Sequence, residues 1–296
     1  MEQNRISQFL AYLSHEKRYS THTCQAYARD LADFVKFAEE NLISDWQAVT
    51  SQNMRSFVAA LNRHQQSTRS IQRKLSSVRS FYRFLMREGL AQKNPVEGVK
   101  SPKVGKKLPN VMDVDQVQGL LNAHTDDITS VRDLAMLELF YACGLRLSEL
   151  SGLDREDIDF NESMVRVTGK GNKTRLIPLG KHARQAIEQW LKRREELVDQ
   201  DQSALFVSTR GTRLANRSIQ ARLKYWGEKT GLGSALHPHR LRHSFASHLL
   251  ESSGDIRAVQ ELLGHANLST TQIYTHLDFQ HLAQVYDAAH PRAKKK

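Results

Sequence analysis

Residues 164–178 read MVRVTGKGNKTRLIP. Met164–Thr168, in which apolar and polar side chains alternate from Val165 onward, and Thr174–Pro178 read as short strands. Between them lies Gly169-Lys170-Gly171-Asn172-Lys173, a run that turns easily. This is the pattern of a β-hairpin. The apolar run at 204–208 is expected to supply a third strand. Outward from the hairpin, apolar residues recur with helical spacing. Val131–Cys143 reads as an apolar helix stopped at Gly144, and Leu147–Leu153 as a short helix behind it. Further helices are expected at 181–197, 216–230, 240–252, 255–263, 269–276 and 278–289. Asn216, Asp255 and Ser269 are placed to cap them, and Gly231, Gly254 and Gly264 to stop them. The expected fold class is therefore mainly α with a small β-sheet.

Residues 1–100 read as helices throughout. Ile6, Phe9, Leu10 and Leu13 share one helical face, as do Tyr27, Leu31, Phe34, Val35 and Ala38. The helix expected from Ser67 to Glu88 carries Ile71, Leu75, Val78, Phe81, Tyr82 and Leu85 on one side. Arg69, Arg73, Lys74, Arg79, Arg83 and Arg87 fall on the other, and Gly89 follows as a stop. Taken alone, this is an ordinary amphipathic helix with a basic solvent face. Lys100–Asn110 (KSPKVGKKLPN) holds two prolines, a glycine and four lysines, which suits an extended basic linker. The expected organisation is a helical domain over 1–100, a linker over 101–110 and a mixed domain over 111–296.

The chain has 296 residues, with 43 Lys and Arg against 32 Asp and Glu, for a net charge of +11. Residues 1–110 hold 18 basic and 9 acidic side chains, so most of the excess sits in the first third. A polyanion partner and a solvated basic face both fit that asymmetry. No run approaches the ~18 apolar residues of a membrane span. The first twenty residues have neither signal-peptide nor transit-peptide character. The two cysteines, Cys24 and Cys143, lie far apart with no C-x-x-C, which argues against a disulfide framework or a zinc–thiolate site. These features suggest a protein of the cytoplasm.

Four segments place polar groups beside a backbone break: Cys143-Gly-Leu-Arg146-Leu-Ser-Glu149, the hairpin tip Gly169-Lys170-Gly171, His239-Arg-Leu-Arg242-His243, and Leu263-Gly-His265 followed by Tyr274. Singly each is weak. Residues 237–248 are rich in histidine, but no H-E-x-x-H pattern or matching acid accompanies them, so no metal site is expected.

In this order the segments resemble the tyrosine recombinase (phage integrase) family, and the stretch from His237 to the end resembles its Xer branch. The resemblance covers nearly the whole chain. It implies a helical N-terminal core-binding domain, an α+β catalytic domain and a C-terminal tail helix. It implies catalytic roles for Arg146, Lys170, His239, Arg242 and His265, with Tyr274 as nucleophile. Lys173 lies three residues from Lys170 and stays open as the alternative general acid. DNA contacts would come from Arg69, Arg73, Lys74, Arg79, Arg83 and the linker lysines Lys103, Lys106 and Lys107. The chemistry would be strand exchange through a 3′-phosphotyrosyl link, without metal or cofactor. The implied partners are duplex DNA carrying a dif-like site, a sister recombinase (XerD) in a heterotetramer, and the FtsK translocase as activator. The implied role is the resolution of chromosome dimers at cell division.

Alternatives are a mobile-element integrase of the same chemistry, a type IB topoisomerase, or a DNA-binding protein of this fold without catalysis. Glu149, three residues after Arg146, is expected to form a surface salt bridge, with orientation of a partner as the other reading. The tail helix at 278–289, with Phe279, Leu282, Val285 and Tyr286, would dock on a neighbouring protomer, or else pack on its own domain.

Overall fold

The structure is a computed structural model that describes residues 3–101, 111–123, 126–169, 174–198, 202–233, 236–264, 285–286 and 288–292. The chain divides into two compact units, Met1–Lys106 and Lys107–Lys296.

The first unit holds four helices, α1 (Gln3–His15), α2 (Thr21–Glu40), α3 (Ser51–Arg63) and α4 (Thr68–Arg87). Ser20, Thr50 and Ser67 accept hydrogen bonds from backbone N–H groups that would otherwise be orphaned at the starts of α2, α3 and α4. Aromatic rings fill the core. Phe81 of α4 packs edge-on against Phe9 of α1, with centroids 5.4 Å apart, and against Trp46, at 4.8 Å.

Helix α4 has the apolar face expected of it, but its basic residues do not all lie on the solvent side. Arg69 and Arg83 are exposed and Arg79 is half-buried. Arg73 remains 48% exposed while its Nη1 donates to Asp30 Oδ2 at 2.6 Å. Lys74 departs from the expected basic face. It is only 5% exposed and pairs with Asp33 of α2, with buried Asp30 4.0 Å away. Its charge is consumed in joining α2 to α4. The linker lysines Lys103, Lys106 and Lys107 lie outside the described residues.

The second unit is built around α6 (Ile128–Cys143), which is buried on nearly every side from Ala135 to Cys143. Its buried charges are all paired. Asp133 accepts from Arg132, Arg222 and the Trp226 indole, and Glu138 accepts from Arg292. Around it lie α5 (Val114–Leu121), α7 (Leu147–Gly152), α8 (Lys181–Arg194), α9 (Asn216–Lys229), α10 (Pro238–Ser253) and α11 (Ile256–Leu263). The sheet has three antiparallel strands in the order β1 (Ile158–Asp159), β2 (Met164–Thr168), β3 (Thr174–Pro178). Strands β2 and β3 pair from Met164↔Pro178 to Thr168↔Thr174, as the hairpin pattern predicts.

The strand expected at 204–208 does not form. Ala204 and Val207 make only isolated bridges, to Asp154 and Arg213. The backbone groups of this segment go elsewhere: Ala204 O accepts from the Arg194 guanidinium at 2.8 Å, and Leu205 O accepts from the Trp190 indole at 2.9 Å. The third strand is instead Ile158–Asp159, too short to show alternation. Asn216 is the first residue of α9 rather than its cap, which is Ala215.

The last described residues belong to this unit's own core. Tyr286 and His290 are fully buried, and their rings stack with centroids 4.8 Å apart. Of the two readings of the tail, the buried Tyr286, Ala289 and His290 fit packing on its own domain. Phe279 and Leu282 lie outside the described residues, as does the helix expected at 269–276. No helix among the described residues is long and apolar enough to cross a membrane.

Candidate active site

Three of the six positions singled out as catalytic lie among the described residues: Arg146, His239 and Arg242. Lys170, Lys173, His265 and Tyr274 lie outside them. The described three come from two elements whose ends meet β3 and α11.

Helix α6 stops at Gly144 in the left-handed conformation, at φ +57°. The chain then turns so that Arg146 sits at the N-cap of α7. Gly144 is required by its surroundings as well as by its φ. A Cβ there would lie 2.5 Å from Cδ1 of Phe245, a ring buried in the core. Gly144→Ala should therefore destabilise the second unit by about 1–3 kcal/mol through strain and overpacking. Chemical denaturation of the full chain checks this.

Glu149 is the hub of the site, and here the surface salt bridge expected from spacing is corrected. The residue is 4% exposed. Its Oε2 accepts from the Arg146 backbone N–H at 2.8 Å, and its Oε1 accepts from Arg146 Nη1 at 2.7 Å. Arg175 of β3 reaches it side-on, with Nη1 donating to Oε1 and Nη2 to Oε2, both at 2.9 Å. Arg242 Nη1 lies 4.0 Å from Oε2. Burial alone would raise the Glu149 carboxyl. Hydrogen bonds and charge from Arg175, then Arg146, overcome that and hold it at about 2. Three cations around one carboxylate leave the cluster with a net positive charge.

Helix α10 opens with Pro238 at its first position, behind His237, whose Nδ1 accepts from the Arg240 N–H. His239 and Arg242 are three residues apart on this helix and so share a face. His239 is exposed, whereas Arg242 is inserted. Arg242 Nη1 donates to Gly144 O at 2.5 Å and Nη2 donates to Leu263 O at 2.7 Å. It thus takes carbonyls left over at the C-terminal ends of α6 and α11, where the helix dipole favours a cation. Burial first, then the nearby Arg146 charge, lower its guanidinium to about 10. It still carries N–H donors beyond the two engaged. Arg146, at 40% side-chain exposure, is the open edge of the cluster.

Planar cations fixed by a buried carboxylate and two helix ends suit an oxyanion whose charge grows during reaction. Arg175 was not among the expected site residues. A signal for it exists in the sequence: Arg175 alternates with Ile177 and pairs in register with Val167, so a charge sits on the strand's inward face.

Comparisons with known proteins agree with this geometry. The family model described as "Phage integrase family" matches residues 110–281, and "Phage integrase, N-terminal SAM-like domain" matches residues 6–89. A protein of Alcanivorax borkumensis named tyrosine recombinase XerC is 54% identical over 295 residues, covering 98% of this chain and 95% of its own. One of the same name from Pseudomonas aeruginosa is 53% identical, covering 98% and 96%. Among solved structures, XerH site-specific recombinase bound to palindromic difH substrate has a TM-score of 0.71 at 21% identity, covering 94% of this chain and 83% of that one. A lambda integrase dimer bound to a core site also scores 0.71, at 17% identity, covering 92% and 98%. Those two likenesses show the fold. The chain belongs to the phage integrase family and is a tyrosine recombinase.

Proposed function

We propose that this chain is the XerC-type member of a recombinase pair. It cuts and rejoins strands at a short dif-like site together with a XerD-type sister, in a heterotetramer. The pair resolves chromosome dimers at cell division in the cytoplasm, with an FtsK-type translocase as activator. The observation that carries the reading is the arginine cluster about Glu149, in a chain 54% identical to a XerC over nearly its full length.

In this reading Tyr274 attacks the scissile phosphorus. A P–O bond forms to its phenolic oxygen as the bond to the 5′ oxygen breaks. A free phenol has a pKa near ~10, so it needs nearby cations and a base. His239 takes the phenolic proton. Lys170, on the hairpin, protonates the leaving 5′ oxygen. Arg146 and Arg242 hold the non-bridging oxygens, and His265 adds one hydrogen bond. The phosphodiester bond energy is kept in the phosphotyrosyl link, so religation needs no cofactor. A nicked suicide duplex carrying a dif-like site, incubated with and without the sister recombinase, tests the reading. A mapped 3′-phosphotyrosyl adduct supports it, and no adduct under either condition overturns it.

The basic first unit would track the DNA backbone. With six to ten phosphates neutralised, affinity should fall by ~10³-fold or more between 50 and 200 mM salt. Replacing Arg69, Arg79 and Arg83 by Gln should flatten the log–log slope by about 0.9 per lost contact. Lys74→Met should leave the slope unchanged and lower stability instead, because that charge is spent on Asp33. Gel-shift titration across a salt series separates the two classes.

A further inference from the structure

Arg175 is the best-connected arginine of the cluster, yet it stands outside the six catalytic positions. Its side chain is 10% exposed, and its Nε, Nη1 and Nη2 are all engaged within the protein. It makes three hydrogen bonds at once. Two run in parallel to the Glu149 carboxylate, both at 2.9 Å, and Nε donates to Leu262 O at 3.0 Å. Leu262 belongs to the last turn of α11, and Gly264 follows as its left-handed cap, at φ +65°. A Cβ on Gly264 would lie 3.1 Å from Arg175 Cδ, so the two are in close contact. Arg175 is also the second residue of β3, two positions after Lys173.

One guanidinium therefore ties three pieces together. It fixes the carboxylate that orients Arg146. It holds the helix end from which the chain runs to His265. It anchors the strand that follows Lys170 and Lys173. The Arg242 contacts to Gly144 O and Leu263 O border the same helix ends, so the fixed distances extend to that residue too.

We infer that Arg175 is a positioning residue for strand cleavage, clamping Glu149 and the C-terminal end of α11 so that Arg146 and Arg242 are held for the same phosphate. The inference rests on the catalytic roles proposed above. A bidentate, planar contact is what Arg supplies and Lys does not, so the clamp is sensitive to conservative replacement.

The test uses the full chain on the nicked suicide duplex, with DNA binding and single-turnover cleavage measured separately. Arg175→Gln should bind within about twofold of wild type and cleave roughly 100-fold more slowly. Arg175→Lys should bind equally well and cleave about tenfold more slowly. A role in packing alone would not change the pH profile, but this one does. Glu149 is faced by Arg146, Arg175 and Arg242, from α7, β3 and α10. Without Arg175, burial pushes its carboxyl up, so the Arg175→Gln cleavage rate should fall with decreasing pH through an ionisation that wild type does not show. That ionisation should vanish in the double variant Arg175→Gln, Glu149→Gln, with losses well short of additive.

Cleavage within threefold of wild type in Arg175→Gln, or additive losses with an unchanged pH profile, would overturn the inference. If Arg175→Gln does not fold, Arg175→Lys decides: cleavage at the wild-type rate, or a loss shared equally by binding, overturns it. Arg146→Gln separates this from failure of the underlying reading. If Arg146→Gln cleaves normally, the site assignment fails. If it is inactive while Arg175→Gln cleaves normally, only the clamp fails.

Discussion

Tyr274→Phe is expected to bind its DNA site with unchanged affinity and to form no covalent adduct, with the cleavage rate falling by ~10⁴-fold or more. The substitution removes one oxygen atom, the one that would bond to phosphorus. The cation cluster that would hold the phosphate is untouched: Arg146 stays locked by Glu149, and Arg242 stays on Gly144 O and Leu263 O. Binding and chemistry should therefore separate cleanly. The measurement is a suicide-substrate assay resolved on a denaturing gel, with peptide mapping of any adduct. An adduct that persists and maps to Tyr141 or Tyr286 would falsify the assignment. The structure makes both poor substitutes. Each is buried, at 1% and 0% exposure, and burial raises the Tyr141 phenol well above the ordinary tyrosine value.

The parts of the fold legible in the sequence are those fixed by local pattern. Strands β2 and β3 could be read to the residue because alternation along β2 runs into a glycine-rich turn and a second short strand follows it. Helix α10 is announced by Pro238 behind a capping His237, and α6 by an apolar run ended at Gly144. The segment 204–208 misled because a buried apolar run carries no period. Burial requires its carbonyls to be satisfied, but the partners are Arg194 and Trp190 of α8 rather than a strand. Helix α5 was missed although Asp113 and Gln116 form a reciprocal cap at its start.

The site divides the same way. Arg146, His239 and Arg242 announce themselves by chain breaks and resemblance. The burial of Glu149 and its pairing with Arg175 do not, because they depend on a contact 26 residues apart in sequence. Spacing within one helix sees Arg146 and Glu149 as a surface pair. Only the arrival of β3 makes the carboxylate a hub.

Truncation after Asp278 is expected to unfold or severely weaken the second unit, because the removed segment contributes core rather than a free arm. Tyr286, Ala289 and His290 are 0%, 3% and 0% exposed. The Tyr286 hydroxyl fits against Gly180, where a Cβ would approach it to 2.8 Å. His290 packs on Tyr141 and Phe245, with centroids 5.0 and 5.5 Å away, and burial lowers its imidazole to about 3, so it is neutral when folded. Arg292 pairs with Glu138 in the middle of α6 and donates to Asn122 Oδ1 at 3.2 Å. Deleting a buried aromatic of this size costs about 3–5 kcal/mol. Leaving Glu138 buried without its cation costs a further ~3–5 kcal/mol. Either figure is a large share of the ~5–15 kcal/mol that holds a domain together. At ~2–4 °C per kcal/mol, the melting temperature of this unit should drop by more than about 10 °C, if it folds at all. The charge contribution can be isolated. Arg292→Leu should destabilise strongly, and adding Glu138→Leu should recover most of that loss, since an apolar pair replaces a buried charge without a partner. A truncated protein that melts within about 2 °C of the full chain would remove Val285–Arg292 from the core and return the tail to a partner subunit. The packing argues otherwise, with Tyr286 and His290 both fully buried.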